Sequence, residues 1–256
     1  MPTSLLSASI VPVGNCKYMK KYLFIFCFLP LLSLGQQAPF LGAWGLEDAS
    51  AKITVLLTEH IFSLNRYHIA DKKFLGSEGG TWRKDGNDLV LNYEWSSTDT
   101  SKVGKEFKTS IRISKSELRL GLFTQALKKL DAGSPGALQG EWIISGNYAN
   151  DVVSKRPSPF YPRRTMKILT GNHFQWIAFN VKTKEFFGTG GGTYTTSADG
   201  KYVETIEFFT KAASSIGKSV EFTYSFKDGD WRHKGQKSTG GPMDECWTPR
   251  KFYLKK

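Results

Sequence analysis

The chain has 256 residues, 35 Lys and Arg against 23 Asp and Glu, and a formal net charge of +12. The basic residues are scattered, with local groups only at Lys155-Arg156, Arg163-Arg164 and residues 250–256, and no nucleic-acid motif accompanies them, so a nucleic-acid partner is excluded. Apolar residues at 40%, aromatics at 14% and 25 glycines, with little helical periodicity, point away from disorder and from helical folds toward an all-β chain of many short strands.

In chain order, Lys20 and Lys21 come first, followed by an apolar run over 22–34 that ends in Ser33-Leu34-Gly35 before a polar Gln36-Gln37. That is the layout of a secretory signal, with cleavage expected after Gly35. Met19 stands directly before the basic pair, so residues 1–18 read as an upstream extension or a mis-assigned start. A membrane-spanning helix needs about 20 apolar residues; this run is shorter and Pro30 interrupts it. Neither Cys16 nor Cys27 lies in a lipid-attachment context, so the expectation is a soluble secreted or periplasmic protein. Loss of the leader removes Lys17, Lys20 and Lys21, leaving +9, and leaves Cys246 as the sole cysteine. Without an internal disulfide, stability must come from an apolar core.

The remainder reads as a duplication. KEFFGTGGGTYTTSADGKYVETIEFF at 184–209 has a weaker upstream copy, KFLGSEGGTWRKDGNDLVLNYEW at 73–95. Both carry Phe-x-Gly, Gly-Gly-Thr-aromatic and an Asp-Gly turn between two strands. Residues 40–44 match 138–142, residues 53–82 run against 165–194 without a gap, 103–105 match 216–218, and 118–119 match 231–232. This gives an extension and signal peptide over 1–35, a first module over 38–130, a linker over 131–137 (DAGSPGA) and a second module over 138–256.

Strand alternation predicts the faces. One apolar face holds Leu89, Leu91, Tyr93 and Trp95; others hold Phe107, Thr109, Ile111 and Ile113, then Leu118, Leu120 and Leu122. In the second module the matching faces are Tyr202, Glu204, Ile206 and Phe208; Val220, Phe222, Tyr224 and Phe226; and Trp231 with His233. Successive hairpins with one apolar face close most economically into antiparallel up-and-down β-barrels, so two tandem barrels are expected.

A Gly-x-Trp opening each module, a meander of antiparallel strands and a late Trp247-x-x-Arg250 resemble the lipocalin and calycin superfamily. Through GGGTY, KYVETIEFF, GDWRHKG and DECWTPR, the second module is similar to an uncharacterised lipocalin-like family of secreted bacterial proteins. The resemblance implies a small barrel with an internal ligand cavity and a late arginine capping the barrel end over Trp142, but no reaction or ligand. The usual lipocalin disulfide cysteines are missing.

The halves differ where Glu204 and His233 replace Leu91 and Leu120, Tyr194 replaces Trp82 and His173 replaces Ile61. A buried carboxylate costs several kcal/mol, of order 3–5, if left unpaired, so Glu204 needs a partner, which His233 or Tyr194 is placed to supply. The plainer reading is a Glu-His pair that only fixes barrel closure, or a bulge at Gly190-Gly191-Gly192 that turns Glu204 to solvent. The glycines are not a phosphate loop, since they lack its Lys-Ser/Thr ending. His173, His233, Glu204 and Glu245 have no metal-ligand spacing, and neither a cofactor nor a metal is implied. Cys246 next to Trp247 reads as an ordinary strand residue. The inserted SGNYANDVVSKRPSPFYPRR, with Tyr148, Phe160, Tyr161, Arg156, Arg163 and Arg164, is a candidate lid over the barrel mouth, the competing reading being a mobile segment with no role.

The functional expectation is binding of a small apolar or amphipathic molecule in the second barrel. Its apolar part would lie against Trp142, Trp176, Tyr202, Phe222 and Trp231, and its polar end would be fixed by Glu204, His233 and Tyr194. Two alternatives remain open: a hydrolase or isomerase using Glu204 and His233 as an acid/base pair, and an envelope interaction module with no internal ligand, whose basic surface suits peripheral contact with anionic envelope components.

Overall fold

The computed structural model describes residues 39–47, 51–133, 136–237 and 240–254. The expected signal peptide lies outside these residues. The chain is all-β, two closed eight-stranded antiparallel barrels in tandem.

The first barrel comprises β1 (Gly42–Glu47), β2 (Lys52–Leu57), β3 (Ile61–His68), β4 (Lys73–Asp85), β5 (Asp88–Ser96), β6 (Glu106–Ile113), β7 (Glu117–Leu120) and β8 (Leu127–Lys129). It closes where Trp44 of β1 meets Lys129 of β8. The second comprises β9 (Gly140–Ala149), β10 (Val152–Lys155), β11 (Arg163–Leu169), β12 (His173–Asn180), β13 (Phe186–Thr196), β14 (Lys201–Phe209), β15 (Ser219–Lys227), β16 (Asp230–Gln236) and β17 (Pro242–Pro249). It closes where β17 returns to β9, and β10 is an extra hairpin strand on β9. Strands follow in chain order because each hairpin leaves one apolar face that only the next can cover.

Both barrels bulge at the same place. In β4 and β13 the register shifts at Gly79/Gly80 and at Gly191/Gly192, and the partner strand carries one extra residue, Glu94 or Glu207. Glycine is required here: a Cβ on Gly80 would sit 1.9 Å from the Asn92 carbonyl oxygen, and one on Gly192 2.1 Å from that of Thr205. The extra residue reverses the alternation of side chains. Trp95 and Phe208, assigned by simple alternation to the barrel interiors, therefore turn outward, while Phe209 turns in.

The exported aromatics hold the barrels together. Trp95 packs on Phe179, ring centroids 5.1 Å apart, and Phe208 on Tyr67 at 4.6 Å. Around them Ala43, Leu56, Ile61, Ile143, Met166, Ile168 and Ile177 form a shared core between the barrels. Gln175 accepts a hydrogen bond from Ser63, and its amide nitrogen donates to Asn65 Oδ1 at 3.0 Å. The bulge glutamates make ion pairs across the same face: Glu94 with Arg164 at 2.6 Å and Arg250 at 2.7 Å, Glu207 with Lys52 at 2.9 Å. Burial works against ionised Glu94, but the two guanidiniums outweigh it and hold its carboxyl below the usual range. Arg250 thus reaches across to the first barrel instead of lying over Trp142.

Linker residue Asp131 accepts hydrogen bonds from Ala43 N, Thr170 Oγ1 and Asn172 N at 2.7–2.9 Å. Glu141 does the same for Thr58 Oγ1 and His60 N in the other barrel, at 2.6 and 2.8 Å.

Candidate functional site

The barrels differ inside. The first is packed by Leu57, Phe62, Leu64, Leu89, Leu91 and Leu120 and keeps a void of about 10 Å³, at the lower limit for a single water. The second holds a cavity of about 520 Å³ that opens to solvent, within the size range of small-molecule sites, roughly 300–1,000 Å³. Its walls are Phe174, Trp176, Ile206, Phe209, Phe222, Met243 and Trp247, and its polar lining is Lys167, Glu204, His233 and Glu245, with Lys211 and Lys237 exposed at the rim.

Strand alternation builds the polar group. On β11, Met166 and Ile168 face the other barrel, so Lys167 between them points inward. It is 4% exposed and pairs with Glu204, itself 8% exposed. The Lys167 ammonium lies 5.1–5.8 Å from the ring centroids of Phe174, Tyr202, Phe222, Trp231 and Trp247. Such an aromatic cage offsets part of the cost of desolvating a cation. Tyr202 donates to Glu204 Oε1 at 2.6 Å, and burial, then the adjacent carboxylate, pushes the phenol well above its ordinary value.

His233 lies against Phe222, Trp231 and Tyr202, with centroids 4.3, 4.9 and 5.5 Å away. Neither ring nitrogen has a hydrogen-bond partner among the described residues. Burial, then the charge of Lys167, holds its pKa well below the histidine norm, so the ring is neutral. Glu245 Oε2 stands 3.7 Å from His233 Nδ1 and accepts from Trp247 Nε1 at 3.0 Å. Burial raises its carboxyl.

Of the residues expected to form the site, Glu204, His233, Trp176 and Phe222 line the cavity. Tyr202 and Trp231 pack directly behind them. Trp142 and Tyr194 do not line it: both belong to the packed end of the barrel, where Trp142 Nε1 donates to the Leu138 carbonyl at 2.9 Å and Tyr194 OH to that of Thr170 at 2.6 Å. Neither His233 nor Tyr194 is the partner of Glu204; Lys167 and Tyr202 are. The bulge leaves Glu204 facing in, because the register shift falls beyond Ile206. His173 faces outward and contacts Asp131 at 3.1 Å. Cys246 is buried among Ser145 and Asp230, outside the cavity, and burial raises its thiol.

The inserted segment is not a lid. It continues β9 into a hairpin with β10, turning at Asn150 and Asp151, both of positive φ. Phe160 then packs into the core between the barrels, under Arg164 and stacked on Tyr253.

Lys167 was the residue that pattern reading missed. The ungapped match of 53–82 with 165–194 sets it opposite Val55, one more apolar position turned ionisable.

Residues 137–249 match a family described as Domain of unknown function (DUF4488), which covers the second barrel. No curated protein matches the sequence.

Proposed function

We propose that the protein binds a small apolar or amphipathic molecule inside its second barrel, and that the first barrel serves as its rigid support. The observation that carries this is the contrast of cavities between two barrels of one design: about 520 Å³ in the second, against about 10 Å³ in the core of the first and about 110 Å³ beside Leu64 and Arg66. A void of that size with an apolar wall and a few convergent polar groups has the make-up of a ligand site. The lipocalin-like character of the chain, an antiparallel barrel with a hollow interior and a Gly-x-Trp entrance strand, supports the same reading, and the secretory layout of residues 20–37 is in keeping with a binding protein of the periplasm or beyond.

The test uses the full chain and N-phenylnaphthylamine, an uncharged fluorescent probe. One probe per chain is expected, with quenching of Trp176 and Trp247 emission, and loss of binding when Met243→Trp fills the mouth. Failure of the probe and of a broad panel of apolar compounds to bind or to raise the melting temperature would overturn the proposal.

A further inference from the structure

The most deeply buried charges of the cavity, Lys167 and Glu204, are already matched. Lys167 and Glu204 satisfy each other in the aromatic wall, and Tyr202 fixes the carboxylate from behind. An anionic head beside Lys167 would set two carboxylates against one buried ammonium, and a cationic head would contest Glu204 in the same way. An uncharged head disturbs neither member of the pair.

Unused hydrogen-bonding capacity lies at the same spot. An ammonium has three N–H donors, and among the described residues the only acceptor on Lys167 is Glu204. His233, 1% exposed and lining the cavity, has no partner for either ring nitrogen among the described residues. A buried donor or acceptor left unpaired is costly, so this end of the cavity favours an occupant that brings oxygen. Glu245 is engaged by Trp247 Nε1. The rim lysines do not reverse the preference: Lys211 already donates to the Phe187 carbonyl at 2.6 Å, and Lys211 and Lys237 are exposed, where solvent and salt screen them.

We propose that the second barrel selects an uncharged apolar molecule with an oxygen head, hydroxyl or carbonyl, seated between Lys167 and His233, and discriminates against the acid and the amine of the same chain. This rests on the ligand-binding reading above and narrows it to a chemical class.

The experiment is displacement of N-phenylnaphthylamine from the full chain at neutral pH by decanol, methyl nonyl ketone, decanoate and decylammonium. Decanol or the ketone is expected to displace the probe at concentrations about tenfold or more below either ion, the scale of one hydrogen bond to a charged group. With the probe affinity of each variant measured afresh, Glu204→Leu, which leaves the Lys167 ammonium without its carboxylate, is expected to let decanoate gain about tenfold or more on decanol, and Lys167→Val is expected to do the same for decylammonium; no such gain in either variant overturns the selectivity. Decanoate or decylammonium competing as well as decanol, or none of the four displacing a bound probe, overturns the selectivity while leaving a binding cavity in place. Failure of the probe itself to bind removes the cavity reading as well.

Discussion

The Lys167–Glu204 pair makes a sharp energetic forecast. The first barrel supplies the substitutions, with Val55, Leu91 and Leu89 standing where the second has Lys167, Glu204 and Tyr202. Both charged groups are at least nine-tenths buried. Removing one partner of a buried pair costs about 3–5 kcal/mol, because the other charge stays unmatched. Lys167→Val and Glu204→Leu alone should each cost that much. For a chain of this length about 1 kcal/mol moves Tm by roughly 2–4 °C, giving a drop of roughly 6–20 °C. Together they should cost far less than the sum. The remaining penalty is the Tyr202 hydroxyl, which loses its acceptor at about 1–3 kcal/mol, and Tyr202→Phe should recover it. The triple variant is therefore expected near wild-type stability or above it. Urea denaturation of the five proteins, read as midpoints and slopes, measures the coupling. Additive single-variant costs would show that the two charges do not meet in the folded protein and would refute the site geometry.

Two further outcomes follow from buried ionisable groups. His233 has a folded pKa below its unfolded value, so its contribution is complete above the unfolded pKa, about 6.5, and declines by up to about 1.4 kcal/mol per pH unit as pH falls toward the folded value; His233→Leu should flatten that acid limb, and parallel stability profiles for variant and wild type would contradict its burial as a neutral ring. Glu94→Gln should strand Arg250 and Arg164 at the barrel interface and lower stability by about 3–5 kcal/mol, more than Glu207→Gln, whose ion-pair partner Lys52 is less buried; equal small losses by thermal melting would mean that this face carries little of the stability.

Much of the architecture was legible because period-two alternation and the repeated Gly-Gly-Thr-aromatic run act locally. Ile53 through Trp82 and Thr165 through Tyr194 repeat without a gap, and the same strands repeat with them. Inward placement of Glu204 and His233 also followed from alternation. Alternation failed at Trp95 and Phe208, since Glu94 and Glu207 each add one residue and reverse the faces beyond. It was silent on the partner of Glu204: Lys167 lies on a strand three places away around the barrel. The inserted segment misled for a similar reason, as Phe160 finds its apolar surroundings in the core shared by the two barrels, which no single module displays.

The shared face explains why one barrel is free to be hollow. Equivalent residues meet across it in matched pairs: Trp95 on Phe179 mirrors Phe208 on Tyr67, and Arg164 on Glu94 mirrors Lys52 on Glu207. This is the self-complementary pattern of a two-fold dimer interface, here within one chain. The contacts use outward faces of the β2–β5 and β11–β14 strands, so they stabilise both barrels without drawing on either interior. A packed first barrel then anchors a partner whose lining can exchange Val55 and Leu91 for Lys167 and Glu204. The repeat thus separates two features that oppose each other in one small barrel, a dense core for stability and an open interior.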